Sequence, residues 1–99
     1  MVDVTRATVK ATSGTLSTDA AAPVNLETLV GRNVLGYEIH NTAGTGTLYW
    51  TGEGVTATTS SIPIAAGESS GFVPGNDRTL SLIREAGVAV TYVVMGLGR

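Results

Sequence analysis

The chain has 99 residues, of which 42% are hydrophobic and 14% charged, with a formal net charge of −2 and no cysteine. That length cores one domain, that charge disfavours a nucleic-acid or polybasic membrane-surface binder, and disulfide and thiolate–metal frameworks are excluded. Serine and threonine fill 22 positions beside 13 glycines, with a single phenylalanine and a single tryptophan, a composition suited to short strands and tight turns.

Residues 1–22 are low in complexity. Val2 and Val4, then Ala7, Val9 and Ala11, alternate with polar residues as in a thin strand, with a slip in parity between Val4 and Ala7. Ser13-Gly14-Thr15 reads as a turn and Thr18–Ala22 as a linker closed by Pro23. This stretch is expected to be an extended N-terminal arm, flexible in the lone chain or ordered against a neighbouring subunit. Residues 23–99 are then the folded domain. Met1-Val2-Asp3 opens into polar sequence without the apolar core of a signal peptide, so the expectation is a soluble protein made in a cytoplasm. The longest apolar stretch, Val88–Leu97, is about half the length of a membrane helix.

Val24–Val30 carries both helical and strand spacing, which predicts a short strand or a single turn. Val34–His40 predicts a strand with Leu35, Tyr37 and Ile39 on one face. Thr47–Thr51 predicts its hairpin partner across the turn Asn41–Gly46. A more polar strand is expected over Val55–Thr59, and an edge or extended connection at Ile62-Pro63-Ile64. Short strands follow at Ser70–Val73 and, beyond the Pro74–Asp77 turn, at Thr79–Arg84. Val88–Met95 is apolar on both faces and predicts a strand in the middle of a sheet or at a subunit contact. Seven or eight short strands without a long helix indicate an all-β sandwich or barrel, of which the sandwich is the expectation.

Little in the sequence points to catalysis. Gly67-Glu68-Ser69-Ser70-Gly71 has the spacing of a nucleophile elbow, but no helix is expected after it and the single histidine, His40, lies upstream. A lone histidine without cysteines makes a poor metal centre. The carboxylates are scattered singly, and no glycine-rich phosphate loop is present. The expectation is therefore a protein that is not an enzyme and takes no cofactor or metal. Tyr49-Trp50 is the aromatic concentration, read as core or subunit contact, or as a stacking platform for sugars.

From Arg32 onward one order of elements stands out: Tyr37–Asn41, the glycine turn, Leu48–Gly52, Val55-Thr56-Ala57, then Ile62–Ser69. This order resembles the small β-sandwich virion proteins of tailed bacteriophages, which serve as capsid decoration (cement) or accessory head and tail components. The resemblance covers about two-thirds of the chain and leaves out the first 30 residues. It implies a jelly-roll-like sandwich acting as a homo-oligomer, a trimer in the favoured form, bound to the major capsid protein at the virion surface. Candidate contacts are Val4, Val9 and Leu16 in the arm, with Trp50 and Phe72 at loop or edge positions. The alternative is a tail or head-fibre tip module that binds a host receptor or glycan, with His40, Tyr49 and Trp50 as its platform.

Overall fold

The computed structural model describes residues 7–99. Its elements, in chain order, are β1 (Thr8–Leu16), β2 (Ala22–Asn25), α1 (Leu26–Val30), β3 (Val34–Asn41), β4 (Leu48–Thr51), β5 (Ile62–Ile64), β6 (Val73–Pro74), β7 (Thr79–Arg84) and β8 (Val90–Gly98). The first sheet runs β1-β8-β3-β6 and the second β2-β7-β4-β5, with every ladder antiparallel. The first strand thus pairs with the eighth, the second with the seventh, the third with the sixth and the fourth with the fifth. One long antiparallel ribbon has been wound into two facing sheets, the jelly-roll arrangement.

Alternation along the strands builds the core between the sheets. Tyr37 and Ile39 from β3 and Val90 and Val94 from β8 meet Leu48 and Trp50 from β4 and Leu80 and Leu82 from β7. The Tyr37 and Trp50 rings meet edge to face, 5.7 Å apart at 88°. The single helical turn α1 closes one end. Asn25 caps it by accepting a hydrogen bond from the Thr28 N–H (2.9 Å), and Gly31 at φ 95° stops it. Val30 presses on Gly98 so closely that a Cβ there would lie 2.6 Å from the Val30 carbonyl oxygen. Only glycine admits the helix at this point.

Several expectations need revision. Within the stretch read as an arm, Thr8–Leu16 forms β1 and pairs along its whole length with β8 of the same chain. Leu16, buried opposite Val90, fixes the register and turns Val9 and Ala11 outward. Ser13-Gly14-Thr15 continues this strand without turning, paired with Val93-Tyr92-Thr91, and the Tyr92 hydroxyl fills the space a Cβ on Gly14 would take. β3 and β4 are not a hairpin but lie in different sheets. Asn41 holds the crossover: its Nδ2 donates to the carbonyls of Gly46 (2.9 Å) and Ile64 (3.0 Å), and its Oδ1 accepts from the Ala43 N–H (3.0 Å). Val55–Thr59 is an irregular connection rather than a strand. Its anchor, the buried Ala57, donates its N–H to Ser81 Oγ (2.9 Å), so a side chain takes the place of a backbone ladder. The strand expected at Ser70–Val73 shrinks to Val73–Pro74, with Gly71 at φ 70° bending the chain before it.

Candidate interaction surface

The outer face of the first sheet can be assembled row by row from its registers. Val9, Leu97 and Gly36 form one row, and Ala11, Met95 and Glu38 the next. Ser13, Val93 and His40 follow, and then Thr15, Thr91 and Thr42, with the Thr42 hydroxyl donating to that of Thr91 at 2.9 Å. The face thus grades from apolar at one end to hydroxylated at the other.

Phe72 completes the apolar end. Its ring lies over Gly36, in the space a side chain would take. Val9 is 64% exposed, Phe72 55% and Met95 39%, and with Leu97 and the stem of Glu38 they line an apolar depression of about 180 Å³. Large side chains grouped on one sheet face, rather than scattered singly, mark a surface that gains from being covered. A contact of 2.9 Å between His40 Nε2 and Glu38 Oε2 borders the apolar end.

The candidate contact residues separate cleanly. Val9 and Phe72 share this face and are exposed. Leu16 and Trp50 are buried in the chain's own core, at 3% and 7% exposure, so neither is free to touch another molecule. Val4 lies outside the described residues. The glycan platform is not assembled either. His40 projects from the outer face of the first sheet and Tyr49 from that of the second, with Trp50 inside between them. Met95 and Leu97 escaped the sequence reading because β8 is apolar on both faces. Alternation alone does not say which face such a strand hides.

Two further polar clusters tie the chain's own segments together. The Tyr37 hydroxyl donates to Asp77 Oδ2 (2.9 Å), and Asp77 Oδ1 accepts from the Glu53 N–H (3.2 Å). Burial, and then the bond to Asp77, push the Tyr37 phenol well above its ordinary value of 10.0 and keep it neutral. Asp19 accepts from the Gly87 N–H (3.0 Å) and from Arg84 Nε (2.9 Å), and these bonds hold its carboxyl below the usual range. Ser69 of the elbow-like motif is exposed, forms an isolated bridge with His40 on the flank of β3, and accepts from the Gly71 N–H at 3.2 Å. Near α1, Arg32, Arg78 and Arg99 surround an open cavity of about 770 Å³, where Glu27 supplies the carboxylate and pairs with Arg78 at 3.7 Å. Among the described residues no three His, Cys, Asp or Glu gather to hold a metal, and no helix is long and apolar enough to cross a membrane.

No known family's sequence profile matches the chain, and no curated protein matches it in sequence. Solved structures share its fold. One is a Bacillus endospore appendage protein, from appendages described as a novel family of disulfide-linked pili. It superposes with a TM-score of 0.56 at 18% identity, over 92% of this chain and 83% of that one. Another is RmlC from Streptococcus suis in complex with dTDP-D-xylose, with a TM-score of 0.52 at 10% identity, over 92% of this chain and 44% of that one. More distant is the acid-stable capsid of Helicobacter pylori bacteriophage KHP30, with a TM-score of 0.47 at 8% identity, over 92% and 85% of the two chains. At such identities the likeness to the first two is one of fold.

Proposed function

We propose that the chain is a structural subunit of a virion, and that it decorates a bacteriophage capsid by seating the apolar end of its first sheet on the capsid protein lattice. The observation that carries this reading is the exposed group Val9, Phe72 and Met95, with the half-buried Leu97 between them, on one sheet face. It stands with the order of elements from Tyr37 to Ser69, which resembles that of phage virion proteins. Fold alone does not choose a function, since appendage pili and a sugar-nucleotide complex both occur among its structural neighbours. The sequence contains no cysteine, so the disulfide linkage described for the pili has no counterpart here.

On this reading the contact is hydrophobic at its centre and polar at its rim, where Glu38 and His40 meet. The acidic balance suits the outside of a capsid better than its DNA-facing lining. The experiment is co-sedimentation of the purified chain with capsids lacking it, prepared from the virus that encodes it. Saturable pelleting is expected, and Phe72→Ser with Met95→Ser should weaken it by about a hundredfold, the loss of two buried apolar side chains. Pelleting that the double substitution leaves unchanged, or no pelleting at all, refutes the proposal.

A further inference from the structure

We infer that β1 is an open sheet edge that pairs with β1 of a second copy, antiparallel about a two-fold axis, joining two first sheets into one of eight strands. This rests on the reading of the chain as an assembly subunit and names the edge through which copies meet.

Two four-stranded sheets have four edges, and the chain has three prolines. Each proline stands in a different edge strand: Pro23 in β2, Pro63 in β5 and Pro74 in β6. Proline cannot donate to a ladder and is a natural means of keeping an edge from recruiting another chain. These edges are also short, at four, three and two residues. Beyond β6 the same flank of β3 is closed by the chain itself. Ser70 N–H donates to the Ile39 carbonyl (2.8 Å), and Asn41 N–H to that of Glu68 (2.9 Å).

β1 has none of these devices. It is nine residues long, contains no proline and carries one charge, Lys10. Among the described residues, Thr8–Leu16 makes no backbone hydrogen bond outside its ladder with β8. An antiparallel edge strand turns alternate N–H and C=O groups away from its neighbour, so β1 offers a row of donors and acceptors to another strand.

The strand suits its own copy. A two-fold axis at Thr12 brings all nine residues into register. Val9 then faces Thr15, Lys10 faces Gly14, and Ala11 faces Ser13. No like charges oppose one another. Directly opposed residues share a face, so the apolar ends of both copies lie on the same side of the joined sheet. Such an isologous contact closes at two copies, not at the three favoured by the resemblance.

The test is the solution mass of the full chain, by light scattering from micromolar to millimolar concentration, for the wild type and for Ala11→Lys with Ser13→Lys. Both side chains are exposed, so the variant keeps its fold, which a cooperative thermal melt verifies. Across the axis each new lysine faces a lysine of the other copy. Dimerisation should weaken by about tenfold at low salt and recover partly as salt is added. In the wild type, the β1 amides turned away from β8 should gain exchange protection as concentration rises. A dimer indifferent to the lysines, or a trimer, overturns the edge pairing and leaves the assembly reading standing. A monomer at millimolar concentration that still pellets with capsids does the same. A monomer that binds no capsid overturns both.

Discussion

Asn41 shows how one polar side chain can specify a crossover. It is 1% exposed, and its side-chain amide finds two partners in the turn that follows it and a third in β5. Asn41→Leu would take this partner from two carbonyls and one N–H in a buried or part-buried setting, and urea titration should show a loss of about 2–4 kcal/mol. Tyr37 makes a pH-dependent contribution. Its phenol is raised above 10.0 in the folded chain, so its stabilising effect is complete below that pH and falls as pH rises above it. The stability advantage of wild type over Tyr37→Phe should be constant from pH 6 to 9 and shrink above pH 10. Tyr49 and Tyr92 are common to both chains and cancel in the difference. The sequence marked Asn41 only as part of a turn. Its partners, up to 23 residues away at Ile64, come together only when β5 docks.

Among the elements, the strands with a single apolar face were legible. Leu80 and Leu82 of β7 point inward as their spacing predicts. β8 takes the central place that its two apolar faces imply. What stayed hidden was pairing between distant strands. The β3–β4 turn has the grammar of a hairpin, and nothing local reveals that its strands part into different sheets. β1 was obscured for a related reason: its outward residues are the apolar Val9 and Ala11, and the deeply buried Leu16 stands alone at its end. Leu16→Ala should therefore cost about 2–4 kcal/mol in chemical unfolding, whereas Val9→Ser should stay within about 0.5 kcal/mol. Equal effects would mean that β1 does not hold the register described. The candidate surface was half legible: Val9 and Phe72 were found, but Met95 and Leu97 emerge only once β8 is flanked by β1 and β3.

At the scale of the molecule, the two sheets divide the work. The second sheet has prolines in both edge strands, and Tyr49 is half-buried on its outer face. The first sheet presents an outer face that is apolar at one end, and one long edge without proline. The low charge of the chain agrees with a surface meant in part to be covered. Hydroxyl-radical footprinting of the chain, free and bound to capsids, tests the central claim most directly, because Met95, Phe72 and Tyr49 all react readily and report opposite sides. Capsid binding should suppress oxidation of Met95 and Phe72 and leave Tyr49 as reactive as in the free chain. Protection of Tyr49 with Met95 and Phe72 unchanged would contradict the account.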